Sequence, residues 1–290
     1  MDGNGTPDAL AAVEALVSEA ESLGAEERWD EARSLLLEAL DDHPDDPRLL
    51  CWLGIAAQRL GEEGEAYEHF RRALAQEPAD VFVLATAGSG VAAYDDPQAE
   101  RALRLAALTA PDFPHARSAY GAYLAREGLF GEAAAELEAA RDLAPDDGLI
   151  RAELAMAYLL GGRGDDGLTE LEEALAQQPE DDGWLRAVYG LALLEARRTG
   201  EGAEELHRAA AARPEDVEVQ LLSALASAAE GWEDEARRAL AGAEAVAEAP
   251  DRELLLEAEE AVDAGPEAAA ALLHGALAPS VLRDRLLQRA

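Results

Sequence analysis

The sequence predicts an all-α fold, a solenoid of stacked antiparallel helix-turn-helix repeats. The first observation is that prolines recur at spacings of 34, 33, 34, 34, 35 and 36 residues, at Pro44, Pro78, Pro111, Pro145, Pro179, Pro214 and Pro250. The second is that a small residue precedes each of the first six by five positions, at Ala39, Ala73, Ala106, Ala140, Ala174 and Ala209. A large apolar residue precedes each by eight, at Leu36, Phe70, Leu103, Leu137, Leu171 and Leu206. A fixed period of this length is typical of helical repeat arrays.

Residues 47–78 show how one repeat is built. Four apolar or small residues share one helical face at i, i+3, i+4 and i+7: Leu50, Leu53, Gly54 and Ala57. After a glycine-rich polar turn, three more share a face of a second helix: Ala66, Phe70 and Ala73. Gly54 and Ala66 are small where two helices cross closely, and Pro78 ends the second helix because proline cannot continue the hydrogen-bond ladder.

This repeat resembles the tetratricopeptide repeat. The match is fullest in one copy: Tyr120, Gly121, Leu124, Gly128, Phe130, Ala133, Leu137, Ala140 and Pro145. The resemblance covers roughly residues 8–278 and implies a right-handed superhelix. Gly167 and Gly202 replace the alanine that the family prefers at the start of the second helix, and residues 81–111 have a shortened turn. Because neighbouring repeats stabilise one another, such departures do not interrupt the array.

The pattern divides the chain into a tail, a solenoid and a cap. We expect residues 1–5 to be a disordered tail, 6–278 a single solenoid without a domain boundary, and 279–290 a C-terminal capping helix. About seven hairpins and a clipped eighth are expected near residues 8–44, 47–78, 81–111, 114–145, 148–179, 183–214, 217–248 and 251–278. A solenoid end needs a polar cap, which is the role assigned to the last helix.

The charge balance narrows the class of partner. The chain has 61 acidic and 24 basic residues, a net charge of -37, and no lysine. A nucleic-acid partner is therefore not expected, since phosphate backbones are held by clustered basic residues. A basic protein partner fits the charge. The absence of lysine and the single Asn4 fit a GC-rich genome and a bacterial source, or an acidic halophile proteome.

The cellular compartment is inferred from the number of cysteines and from the length of the apolar runs. Cys51 is the only cysteine, so the chain cannot form an internal disulfide, and the first residues lack the pattern of a signal peptide. No apolar run reaches the length of a bilayer crossing. We expect a cytoplasmic protein without membrane contact.

Three patterns suggest chemistry, and each has a structural explanation. Residues 41–46 match the DDxxD of isoprenoid synthases, but acids follow the repeat proline at nearly every junction, where a carboxylate caps the next helix. Residues 162–167 match GxGxxG, but a helix precedes them where a dinucleotide site requires a strand. The five histidines are scattered over different repeats. We therefore expect no catalytic site, metal or cofactor, and keep a magnesium-dependent isoprenoid-diphosphate enzyme as the rival class.

The resemblance implies a binding groove lined by the first helix of each hairpin. Its lining residues are expected to be Arg48, Cys51, Ile55, Phe82, Ser89, His115, Ser118, Leu149, Met156, Leu159, Trp184, Leu191, Leu194, Leu221 and Leu225. These lining residues are small in the middle of the groove and apolar toward residues 149–225. They include neither the lysine nor the asparagine with which related grooves bind a peptide carboxylate. An apolar stripe of this kind is normally covered.

These features predict a non-enzymatic scaffold, adaptor or chaperone-like protein that holds an amphipathic or apolar partner segment with basic flanks. Two alternatives remain open: the chain's own C-terminal helices cover the groove, or a second copy does so in a homo-oligomer. Under the partner hypothesis we expect Leu191 and Leu225 to face solvent in the free protein.

Overall fold

A computed structural model describes residues 7–177 and 183–282. The described residues form sixteen α-helices and one π-helical turn, and contain no strand. The bounds are Pro7–Ala25 (α1), Trp29–Asp42 (α2), Pro47–Arg59 (α3), Glu63–Ala75 (α4), Val81–Ala92 (α5), Gln98–Thr109 (α6), Pro114–Arg126 (α7), Phe130–Leu143 (α8), Gly148–Leu160 (α9), Gly164–Gln177 (α10), Gly183–Glu195 (α11), Thr199–Ala212 (α12), Val217–Ala229 (α13), Glu233–Val246 (α14), Arg252–Ala264 (α15), Pro266–Leu272 (α16) and Leu273–Leu277 (the π turn). The predicted all-α repeat fold is confirmed. The expected tail, 1–5, lies outside the described residues.

The chain forms two compact units, Met1–Tyr123 and Leu124–Ala290, divided within α7. In the first unit, α1 packs on α2, α3 on α4, and α5 on α6, and the first helices α1, α3 and α5 also contact one another in sequence. In the second unit the hairpins are α9 with α10, α11 with α12, and α13 with α14. Each second helix there also contacts the first helix of the following hairpin, which continues the array within the unit.

Acidic residues at the hairpin junctions cap the following helices. The side chain of Asp46 accepts hydrogen bonds from the backbone N–H groups of Arg48 and Leu49, at 2.9 and 3.4 Å. The same N-cap arrangement occurs at Asp80, Asp147 and Asp216. A carboxylate at this position satisfies otherwise unpaired amides and meets the positive end of the helix dipole. The capping interpretation is confirmed at these four positions, whereas Asp251 makes no side-chain cap to α15 and accepts a hydrogen bond from the backbone N–H of Glu248 instead.

A buried carboxylate links three helices of the second unit. Glu170 on α10 accepts from Arg141 of α8 at 2.6 Å and from Arg151 of α9 at 2.7 Å. Both of its oxygens are therefore paired with a guanidinium. Because a buried charge is costly unless it is paired, the two arginines make this position tolerable.

None of the described helices combines the length and apolar character that a bilayer crossing requires.

Candidate functional site

The predicted groove residues lie on the first helices of the hairpins, from α3 to α13, and their surface is called here the first-helix face. The structure divides them by exposure. Eight are exposed or partly exposed: Arg48, Ile55, Phe82, Ser89, His115, Leu149, Leu159 and Trp184. The others are buried: Cys51, Ser118, Met156, Leu191, Leu194, Leu221 and Leu225. Most of the open residues lie in the first unit and most of the buried residues lie in the second, so the two units present different surfaces.

In the first unit, aromatic rings follow one another across three first helices. The Trp52 ring of α3 stacks on the Phe82 ring of α5, with centroids 5.9 Å apart and planes inclined by 22°. The Phe82 ring lies 6.2 Å from His115 of α7, and His115 lies 6.0 Å from Phe113. We call these four residues the aromatic row. All are at least partly exposed.

Polar groups close to the aromatic row in sequence are engaged within the protein. The guanidinium of Arg48, four residues before Trp52, donates to Asp46 at 3.0 Å. Within the row, Nε2 of His115 lies 3.4 Å from Oγ1 of Thr86. Asp80 caps α5 through the amides of Phe82 and Val83. The carboxylates of Asp46 and Asp80 are therefore already paired with groups of the protein.

The chemistry of this surface is that of binding. Rings at these separations offer apolar area with defined geometry to a flat or aliphatic side chain. The nearby thiol of Cys51 is fully buried, and this burial raises its pKa, so the reactive thiolate is disfavoured. Among the described residues, no group of three or more His, Cys, Asp or Glu is arranged to hold a metal ion.

In the second unit the first-helix face is covered along α13 and at Leu191 of α11, whereas Leu149 of α9 stays exposed. Ten consecutive residues of α13, 219–228, are buried, so this helix is enclosed around its whole circumference. Leu191 and Leu225 are both 0% exposed, and the expectation that they face solvent is wrong. They belong to a single buried cluster with Leu273, Val281 and Leu282 of the C-terminal segment.

The covering element is the C-terminal segment of the chain itself. Helix α16 and the π turn both pack on α13, and α16 does so more extensively than α15. In the described first unit, by contrast, α3 contacts α4 and α5 without a comparable contact from α6. The backbone remains helical from the π turn through Leu282, across the expected start of the capping helix at residue 279. The rest of that predicted helix, 283–290, lies outside the described residues.

The cover leaves a cleft at one edge. A cavity of about 520 Å³ lies between the C-terminal segment and the ends of α9 and α11. Its apolar lining includes Leu159 and Leu160 on one side and Pro279 and Leu282 on the other. Leu159, one of the predicted groove residues, thus faces the edge of the cover.

Sequence reasoning missed Trp52 and Phe113 as parts of this site. Trp52 is not among the positions that the family resemblance assigns to the groove, and Phe113 lies just before the start of α7. The available signal was spacing: an aromatic residue stands 30 positions before Phe82 and another 31 positions after it. Coverage by the C-terminal helices was one of the two open alternatives, but its position on α13 through Leu273, Val281 and Leu282 depends on the turn between α15 and α16.

The fold and this face define a helical repeat protein, and comparison with known proteins gives its family. Two tetratricopeptide repeat models match residues 17–81 and 124–188. A thermophilic TPR protein of Thermus thermophilus is 30% identical, with a TM-score of 0.50, over 62% of this chain and 98% of the other. The chain belongs to the tetratricopeptide repeat family, whose members commonly mediate protein–protein interaction and are generally non-enzymatic.

Two more distant structures share the fold. PilF of Pseudomonas aeruginosa is 16% identical with a TM-score of 0.57, over 73% of this chain and 97% of PilF. A chain of the APC/C Cut9–Hcn1 hetero-tetramer is 17% identical with a TM-score of 0.66, over 82% of this chain and 48% of that one. No curated protein matches the chain significantly.

Proposed function

We propose that this protein is a non-enzymatic adaptor or chaperone-like scaffold that holds an apolar or amphipathic segment of a partner protein on the aromatic row. The observation that supports this most directly is the partial exposure of the stacked rings of Trp52, Phe82 and His115 across α3, α5 and α7. Aromatic side chains grouped at the centre of a surface are the residues that most often carry binding energy.

The charge of the chain favours a partner whose flanks are basic. A net charge of -37 attracts a cationic segment over a distance and repels an acidic one. The aromatic faces can also accept an arginine by a cation–π contact. We therefore expect the bound segment to combine apolar or aromatic residues with arginine or lysine on either side.

The rival enzyme class receives less support. Asp46, the acid that directly follows the DDxxD match at residues 41–45, already accepts two backbone amides and pairs with Arg48. Magnesium titration is the direct comparison: tight stoichiometric binding that is lost in an Asp41→Ala/Asp45→Ala variant would favour the enzyme.

The buried and unpaired Cys51 agrees with our expectation of a reducing, cytoplasmic setting.

Affinity purification with the Phe82→Ala variant tests the proposal. The partner recovered from the native cell with the wild-type chain is identified, and its affinity is measured for the wild-type, the Phe82→Ala and the Leu108→Ala chains. Leu108 is an exposed residue of α6, away from the first-helix face. We expect Phe82→Ala to weaken binding at least about tenfold and Leu108→Ala to leave it unchanged.

Two results would count against this placement. Equal affinity of the wild-type and Phe82→Ala chains would remove the aromatic row from the interface. A concentration-dependent dimer in light scattering that Phe82→Ala dissociates would identify a second copy as the occupant of the row.

A further inference from the structure

We propose that the first-helix face of the second unit is a binding site for a helix rich in alanine and leucine, and that residues 266–282 of this chain occupy it as an internal ligand. This site is distinct from the aromatic row, and the inference does not rest on the function proposed for the row.

The first line of support is the way in which α13 is enclosed. In a repeat array the first helix of a hairpin contacts its own second helix and the neighbouring first helix. Helix α13 does so with α14 and α15, and is contacted in addition by α16 and the π turn. Leu221 and Leu225, on the first-helix face of α13, are fully buried together with Leu273. The C-terminal segment therefore lies where a partner helix would lie.

The second line is the connection of this segment to the array. A single residue, Gly265, separates α15 from α16, and its φ of 109° and ψ of -176° are accessible only to glycine at low cost. Pro266 then starts α16 at its first position. The segment thus turns sharply back onto α13 through one backbone unit.

The third line is the incomplete seal. The cleft of about 520 Å³ separates Pro279 and Leu282 from Ala192, Ala196 and Leu159. The cleft is open to solvent, so the apolar side chains at this edge lack packing partners on one side. The segment is thus fully buried at Leu273 and only partly covered at this edge.

The composition of the occupant indicates what the site accepts. Residues 266–282 include six alanines and five leucines or valines, with Glu267 as their single acidic residue. Small residues allow close approach of two helices, and the leucines supply apolar area. The site therefore selects a helical segment whose contacting face is uncharged and combines alanine with leucine. An acidic segment is disfavoured.

An internal occupant weakens the apparent affinity for an external ligand, because only those molecules in which the site is open can bind it.

The probe is a labelled synthetic peptide with the sequence of residues 266–282, added to the full-length protein. In Leu273→Ala the internal segment loses its most buried contact. We expect this variant to bind the peptide at least about tenfold more tightly than the wild type. Leu256→Ala is the matched control, since Leu256 is 58% exposed on α15, and should bind as the wild type does.

Hydrogen exchange of the wild-type chain supplies an independent measurement. We expect amides of residues 266–277 to exchange through a local opening, faster than those of α12, and to exchange faster still when an excess of the peptide competes for the site. The proposal is overturned if these amides exchange only through global unfolding, or if the peptide binds none of the three chains. Loss of helical structure in Leu273→Ala at the working temperature would overturn it also, by showing that the segment is an integral part of the core.

Discussion

A Cβ atom built on Gly90 would overlap Cδ2 of Phe70. The other edge of the same ring lies close to α3, where a Cβ on Gly54 would lie 2.5 Å from Cε1. Phe70 is 1% exposed and thus fills the space between α3 and α5 that the two missing side chains leave open. The ring of a second helix is therefore the spacer that sets the separation of two successive first helices.

Gly90→Ala should destabilise the first unit by about 1 to 3 kcal/mol, because the added methyl group forces the Phe70 ring or the helices apart. Gly64→Ala is the matched control, since nothing lies within 4 Å of its Cβ position in α4. The control should be neutral or stabilising by up to about 1 kcal/mol. Urea unfolding measures both, and equal effects of the two substitutions would contradict the spacer role.

Leu191→Asp and Leu225→Asp should unfold the second unit. Both side chains are fully buried, and an unpaired carboxylate there costs several kcal/mol. Leu149→Asp, at a position that is 53% exposed on the same face, should leave the melting temperature nearly unchanged. Circular dichroism during heating distinguishes the variants. Normal stability of Leu191→Asp would show that the leucine is not part of a closed core.

Glu170→Gln should lower the free energy of unfolding by about 1 to 3 kcal/mol, because the partly buried Arg151 loses its counter-charge and Arg141 keeps only its pair with the exposed Asp142. The exposed Glu31 makes an ion pair with Arg28, at 2.7 Å, and Glu31→Gln should have a much smaller effect, because solvent screens this pair. Chemical denaturation provides the comparison. A smaller loss for Glu170→Gln than for Glu31→Gln would contradict the role of burial.

His69 should make stability depend on pH in the range just below neutrality. Partial burial, and then the charge of Arg72, hold its pKa below its ordinary value of 6.5. Its Nδ1 is also buried without a hydrogen-bond partner among the described residues. The folded state thus favours the neutral ring, and its contribution is complete above pH 6.5 and decreases as the pH falls from 6.5 toward the lowered value.

Replacing this histidine should remove that part of the pH dependence. We expect His69→Gln to lose less stability than the wild type between about pH 7.5 and about pH 5.5, measured as the difference in unfolding free energy. Carboxylates that titrate in the same range affect both proteins equally, so the difference isolates His69. A difference that is constant across this range would show that His69 titrates alike in the folded and unfolded states.

The repeat fold could be predicted because its determinants are local. In the sequence a proline follows the second helix of the first seven hairpins, an aspartate after it caps the next first helix at four junctions, and the Phe70 and Gly54 positions recur at a nearly constant distance. Each of these acts within a few residues or within one repeat, so the period alone locates the hairpins. The family assignment and the capping role of Asp46 followed from the same regularity.

The state of the binding face could not be predicted in the same way. Leu149 and Leu225 both lie on first-helix faces, yet one is exposed and the other is fully buried. The difference arises from the direction in which the chain leaves Gly265, which no periodic pattern encodes. The stacking of Trp52 on Phe82 likewise depends on the separation of α3 and α5, which the Phe70 ring sets.

The return of the C-terminal segment also changes how the second unit should unfold. A linear array with nearest-neighbour coupling behaves like a one-dimensional Ising chain, whose end repeat frays first. Here one cluster runs from Ala152 on α9 through Leu225 to Leu282, so the end of the chain is coupled to repeats beyond its neighbour. While the C-terminal segment occupies the first-helix face, fraying of α13 and α14 first requires its release from that face. Cooperativity in the second unit then extends over more than one repeat.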